Sequence, residues 1–288
     1  MKVAIVADSN SGITRSAAKE LGVFSVPMPV IIDGETYFEG VDIDSETFYK
    51  SLMAGKNVTT AQPSPGDLMQ LWDEILADGY DSIVYIPMSS SLSGSCHTAI
   101  GLAADYDGKV QVVDNHRISV PQKHSVLDAI RLAEEGLSAL EIRKTLEADA
   151  FQTSIYIAVD TLEFLKKGGR VTAAAAAIGT VLNLKPILSI QGEKLDAYAK
   201  VRGMKKAHRT MLEAIQKDID TRFADLPKDQ LRIGVAGTSL DPEVTQAWIN
   251  LVRETFPGYD LIYDPLSCSI GTHTGPNALG ICVSRICP

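Results

Sequence analysis

Residues Ser82 to Met88 read Ser-Ile-Val-Tyr-Ile-Pro-Met, a run dominated by apolar side chains with no regular polar alternation. A strand with one wet face alternates, so a run of this kind is expected to be covered on both faces, as in the interior of a parallel sheet. Val3 to Ala7 and Val110 to Val113 have the same character. Helical patterns over Ser11 to Leu21, Asp44 to Ala54 (with Asp44 or Ser45 as N-cap) and Asp67 to Leu76 lie between these runs, and a further helix is expected to begin near Cys96. Val26 to Ile32 is another extended run, punctuated by Pro27 and Pro29. Strands alternating with helices imply a parallel sheet joined by right-handed crossovers.

The second half follows a different pattern. Strands are expected at Ile155 to Val159, Leu231 to Ala236, Asp260 to Tyr263 and Gly280 to Ile286, and helices at Thr161 to Lys167, Thr172 to Leu182, Met204 to Ile219 and Asp241 to Thr255. Pro186 to Ile190 and Leu195 to Val201, joined through Gly192-Glu193, read as a hairpin. A hairpin beside βαβ pieces indicates a mixed sheet. The expected class is therefore α/β, with an N-terminal parallel-sheet, Rossmann-like domain over residues 1–153 and a C-terminal mixed-sheet domain over 154–288.

Charge narrows the function classes. A formal net charge of -9 disfavours nucleic acid and anionic membrane surfaces, both of which reward clustered Lys and Arg. No run approaches the roughly 20 apolar residues of a membrane span, and the N-terminus enters a strand pattern with no signal-peptide character, so no stable membrane insertion is expected. The four cysteines include no Cys-x-x-Cys pair, and reduced thiols with a cytoplasmic location are the expectation. Phosphate-loop, dinucleotide, His-Glu-x-x-His and Gly-x-Ser-x-Gly signatures are missing, and no histidine has companions at metal-ligand spacing, so neither cofactor nor metal is expected.

Ser89-Ser90-Ser91-Leu92-Ser93-Gly94-Ser95 is the most informative segment. It lies between a buried strand and a helix start, where first-turn amides, the helix dipole and hydroxyls suit an anion; a hydroxyl-rich cap explains the same residues. Thr59-Thr60-Ala61-Gln62-Pro63-Ser64 reads as a polar loop. Gly271 to Pro276 places His273 in a glycine-flanked, flexible stretch, where it is either a surface residue or a donor to a carboxylate or phosphate. Lys166-Lys167-Gly168-Gly169-Arg170 reads as a helix stop with dipole-compensating cations. Ala173 to Ala177 leave room for an acyl chain or for close helix packing.

Five segments occur together in order: Asp8-Ser9 after the first strand, Thr60-Ala61-Gln62-Pro63-Ser64, Ser90 to Ser95, Lys167-Gly168-Gly169-Arg170 and Gly275 to Gly280. In that arrangement the chain resembles the DegV family over essentially its whole length. The resemblance implies two α/β domains with a lipid bound between them. It implies a carrier, not an enzyme, that binds one long-chain fatty acid and presents it to a separate fatty acid kinase. By the same resemblance Thr60 and Ser93 hold the carboxylate, and Arg170 and His273 serve the head group or kinase docking. Asp8, Ser91, Gly94, Ser119, Pro121 and Gly275 are the further pocket candidates. The alternatives are a Ser93/His273 hydrolase or phosphotransferase, and a carrier of another anionic amphiphile.

The resemblance has two departures. Ala61 stands where the family usually has Ser, which removes one hydroxyl but leaves Thr60. The family's Ser-x-Gly-x-Gly stretch corresponds here to Ser119-Val120-Pro121-Gln122-Lys123, with Pro121 and Lys123 where glycines are expected. Side chains then occupy positions where bare backbone allows close approach, and Lys123 offers a cation to a different or additional anionic group.

Overall fold

The computed structural model describes residues 2–177, 184–238 and 241–288. The chain forms two compact units, one running through Phe151 and including Cys287–Pro288, the other Gln152–Ile286.

The first unit contains, in chain order, β1 (Val3–Asp8), α1 (Arg15–Leu21), β2 (Phe24–Val26), β3 (Pro29–Ile32), β4 (Glu35–Phe38), α2 (Ser45–Met53), β5 (Val58–Thr60), α3 (Pro65–Ala77) and β6 (Ser82–Ile86). It continues with α4 (Ser95–Ala103), β7 (Val110–Val112), α5 (Val120–Glu134) and α6 (Ala139–Ala148). A four-stranded sheet of order β2-β1-β6-β7 is parallel throughout. Both faces are covered, as the unalternated sequence of β6 requires. On β1, Ala4 and Val6 pack with Trp72 of α3 and Cys96 of α4, while Ile5 and Ala7 pack with Val126 of α5 and Ile142 of α6. Trp72 lies edge-on to Tyr85 and Tyr106, with centroids 5.9 and 5.4 Å away.

One expectation is revised here. Val26 to Ile32 is not a single strand: β2 joins the parallel sheet, and β3 joins a separate three-stranded antiparallel sheet of order β4-β3-β5. Pro27 lies at the break, where its missing amide removes a ladder donor. Thr59 and Thr60 are consequently strand residues, paired with Ile31 and Val30, where the prolines and hydroxyls had suggested loop.

The second unit comprises β8 (Thr153–Ala158), α7 (Glu163–Gly168), α8 (Ala173–Ala176), β9 (Leu184–Ile190), β10 (Asp196–Arg202), α9 (Met204–Thr221), β11 (Leu231–Gly237), α10 (Pro242–Thr255), β12 (Asp260–Pro265), α11 (Cys268–Thr274) and β13 (Leu279–Arg285). Its sheet has the order β10-β9-β8-β13-β11-β12 and is mixed: β11 and β12 are parallel and the other neighbours antiparallel. The β9–β10 hairpin has the expected partners. α9 and α10 pack on this sheet through Met211, Ile215, Trp248 and Val252, and the Trp248 indole donates to the Gly280 carbonyl at 3.1 Å. The expected helix Thr172 to Leu182 is described only as far as Ala177; its remainder lies outside the described residues.

The stretch around His273 is also revised. It is not loop: Cys268–Thr274 is helix α11, with His273 in its last turn. Ser267 caps it by accepting the Ile270 amide at 3.2 Å, and the Thr272 hydroxyl bonds back to the Cys268 carbonyl at 3.0 Å.

Candidate functional site

The carboxyl ends of β1, β6 and β7 carry three loops joined by hydrogen bonds. In open parallel sheets this is the end at which ligands bind. Asp8, the last residue of β1, is fully buried. Its carboxylate accepts the Met88 amide at 2.7 Å, the Asn10 amide at 3.0 Å and the Gln122 side-chain amide at 3.0 Å. Burial outweighs these donors and raises its pKa to about 6. The bond to Met88 anchors the backbone just before the serine-rich loop, so Asp8 supports that loop from below.

The loop after β6 folds on Ser89. The Ser89 carbonyl accepts the Leu92 and Ser93 amides, its hydroxyl accepts the Ser91 amide, and its own amide donates to the Arg117 carbonyl. The Ser93 hydroxyl accepts the Ser95 amide at 3.2 Å, and Gly94 occupies the N-cap position of α4. Ser93 is half-buried and Gly94 exposed. First-turn amides such as those of Cys96 and His97 have no acceptor within a helix, which makes this end receptive to an anion. Thr60 ends β5, and one turn into α4 the Thr98 hydroxyl donates to Gln62 at 2.9 Å. Gln62 thus ties the Thr60 segment to the helix that Ser93 introduces.

Ser119 and Pro121 complete this end of the unit. The Ser119 amide donates to the Asn10 carbonyl at 3.1 Å, and its carbonyl accepts the Lys123 amide at 3.0 Å. Pro121 is buried in the first turn of α5, where a missing amide is harmless. Ser119 has φ 58 and ψ −139, a region nearly reserved for glycine. Ser119→Gly is therefore expected to raise stability by about 1 kcal/mol, the relief of strain exceeding the added chain entropy. Thermal unfolding checks this; a lower midpoint would show that the serine side chain contributes more than the strain costs.

Ser91, His116 and Asp114 stand in the order of an acyl-transfer relay, an arrangement the sequence reading missed. The Ser91 hydroxyl lies 3.5 Å from His116 Nδ1, and His116 Nε2 lies 3.9 Å from Asp114. These separations are long for hydrogen bonds, and the amides of Ser91, Leu92 and Ser93 already donate to Ser89. His116 also stacks on Phe151, with centroids 4.9 Å apart. The group is better suited to polar contact than to catalysis.

Arg170, His273 and Gly275 belong to the second unit. Arg170 Nη1 donates to the Gly168 carbonyl. His273 lies beside the end of α7, and burial, followed by the Arg170 charge, lowers its pKa to about 4. At neutral pH it is an uncharged imidazole and a weak base. Gly275 (φ 74) ends α11 and its carbonyl accepts the Thr238 hydroxyl at 2.8 Å. Asn277 is held by the Asp160 carboxylate at 3.0 Å, which also binds Lys185. The predicted residues thus gather in two groups, Asp8, Thr60, Ser91, Ser93, Gly94, Ser119 and Pro121 in the first unit and Arg170, His273 and Gly275 in the second. Among the described residues no three His, Cys, Asp or Glu side chains gather as metal ligands, and no helix is long and apolar enough to cross a membrane.

A family model described as an uncharacterised protein of the DegV family matches residues 2–285. The chain belongs to the DegV family. A DegV domain-containing protein of Caldanaerobacter subterraneus subsp. tengcongensis is 34% identical over 282 residues, 97% of this chain and 98% of its own. Two DegV-family structures are similar over nearly the full length. One, from Thermus thermophilus and described by its fatty acid binding, has TM-score 0.87 and 31% identity and covers 99% of this chain and 100% of its own. The other, Bacillus subtilis DegV, described as a fatty acid binding protein, has TM-score 0.85 and 29% identity and covers 99% of each chain.

Proposed function

We propose that this chain binds a single long-chain fatty acid, with Thr60 and Ser93 holding the carboxylate, and presents it to a fatty acid kinase. The observation that carries the reading is the full-length likeness to the two fatty-acid-binding DegV structures, at 31% and 29% identity. The geometry supports it. Hydroxyls and a helix N-terminus meet at the ligand-binding end of a parallel sheet, and Gln62 ties the two carboxylate-holding segments together. Arg170 and the neutral His273 are further head-group or docking contacts in this reading. The nucleotide and the phosphoryl-transfer chemistry belong to the kinase, and this chain positions the acid. As a carrier of that kind its proposed location is the cytoplasm.

An acid of about sixteen carbons buries about fifteen CH₂ and CH₃ groups at ~0.8 kcal/mol each, so burial contributes on the order of 12 kcal/mol before association costs. Hydrogen bonds to the carboxylate add less once its desolvation is subtracted. The tail therefore sets affinity and the hydroxyls set register. The double variant Thr60→Ala/Ser93→Ala is expected to lose about tenfold in palmitate affinity, ~1.4 kcal/mol. Phosphorylation by the kinase should fall on the order of a hundredfold, because a misplaced acceptor reacts slowly. Native mass spectrometry of the purified protein, followed by denaturation and lipid identification, tests the reading. A stoichiometric fatty acid is expected; an empty protein that also takes up no added palmitate would refute it. Unchanged phosphorylation in the double variant would remove Thr60 and Ser93 from the assignment.

A further inference from the structure

The Lys-Gly-Gly-Arg segment contains two consecutive glycines, and they answer to different constraints. Gly169 has φ 70 and ends α7 in the left-handed conformation, its amide reaching the Leu165 and Lys166 carbonyls. A side chain there would meet no atom within 4 Å, so Gly169 is required by backbone shape. Gly168 is the last residue of α7 and is not among the residues of positive φ. A β-carbon on Gly168 would stand 2.3 Å from His273 Nδ1 and 3.0 Å from its Cε1. The imidazole fills the space that any other residue's side chain would take.

The contact has a counterpart. On Gly275, at the end of α11, a β-carbon would stand 2.5 Å from Cδ2 of Phe164 in α7. Each helix therefore presents an aromatic ring to a glycine of the other. Gly168 has a second task, since its carbonyl accepts Arg170 Nη1. One residue seats both the imidazole and the guanidinium.

We propose that Gly168 is a positioning residue: its missing side chain seats His273 against the end of α7 and its carbonyl holds Arg170, fixing an imidazole–guanidinium pair that receives an anionic head group. The seating is a property of this unit alone; the head-group role rests on the fatty-acid reading above. Because the obstructing atoms in Gly168→Ala belong to a side chain, the ring gives way before the backbone does.

The test uses the full chain labelled with ¹⁵N-histidine. Gly168→Ala is compared with Gly101→Ala, a helical position where a β-carbon meets nothing within 4 Å. His273→Ala assigns the resonance. In Gly168→Ala the His273 signals are expected to shift and its titration midpoint to rise toward that of an ordinary histidine, with no change in Gly101→Ala. Any loss in melting temperature should vanish when Gly168→Ala is made in the His273→Ala background. An unmoved His273 titration, or an equal loss in both backgrounds, overturns the positioning role. Competition of palmitate and methyl palmitate against a fluorescent fatty acid separates the two ideas. Gly168→Ala should lose at least threefold of the preference for the acid. If His273 moves while that preference stays, the head-group role of the pair fails and the seating stands.

Discussion

Asp149→Ala is expected to cost about 3–5 kcal/mol, because it leaves a buried guanidinium without its counter-ion. Arg117 and Asp149 are 1% and 4% exposed and meet at 2.9 Å. Arg117 also donates to the Ser125 hydroxyl at 3.1 Å and to the Asp149 and Ala150 carbonyls at 2.7 and 3.4 Å. The two carbonyl bonds survive the substitution and place the expected loss toward the lower end. Arg117 belongs to the segment between β7 and α5 that leads to Ser119, and its carbonyl accepts the Ser89 amide. The damage should therefore spread to the serine-rich loop. Urea unfolding of Asp149→Ala checks the magnitude, and a fall under 1 kcal/mol would show that water reaches Arg117. Replacing both partners, Arg117→Met with Asp149→Leu, should recover much of the loss, since a buried pair contributes less than its breakage removes.

Acidification is expected to act in opposite directions on the two units. Asp8, in the first, has a folded-state pKa near 6 against an ordinary 3.8. Between those values the folded unit binds more protons than the unfolded chain, so its stability rises as pH falls, by up to about 3 kcal/mol. His273, in the second, has a folded-state pKa near 4 against 6.5. There the unfolded chain binds more protons, so stability is lost as pH falls from 6.5 toward 4, again by up to about 3 kcal/mol. His208, lowered by burial, acts in the same sense as His273. The chain's two tryptophans separate these effects, because Trp72 lies in the first unit and Trp248 in the second. Urea unfolding of Trp248→Phe and Trp72→Phe at pH 7 and 5 reports each unit in turn. Asp8→Asn should abolish the gain seen through Trp72, and His273→Gln should reduce the loss seen through Trp248. Parallel shifts in both probes would refute the assignment.

Much of the fold could be read from short-range pattern. β6 declared itself by its apolar run, α2 by the Asp44 cap, whose side chain accepts the Thr47 amide at 2.7 Å, and the β9–β10 hairpin by Gly192-Glu193. Elements stabilised by tertiary contacts were harder to read. β5 is three residues, two of them threonine, and is a strand because β3 pairs with it. α11 contains Gly271 and two threonines, poor helix formers, and persists through its Ser267 cap and its packing on α7. The same division holds at the candidate site. Thr60 and Ser93 were assigned through the family resemblance that their contiguous motifs carry, whereas the amide that Asp8 secures lies 80 residues away. The space His273 takes at Gly168 depends on two helices more than a hundred residues apart, which no local spacing encodes.

The return of the last two residues to the first unit has a consequence for synthesis. Cys287 is buried among Leu146, Ile142 and Val126; its amide donates to Asp128 at 3.2 Å, and its thiol donates to the Thr145 carbonyl at 3.6 Å. Residues through Phe151 leave the ribosome first, and N-terminal domains ordinarily fold as they emerge. Here that unit is without the Cys287 side chain in its core, and without the Cys287 amide at Asp128, until residue 287 has been translated. A ribosome stalled in the second half would hold a first half that lacks these contacts, although all but two of its residues have already been made.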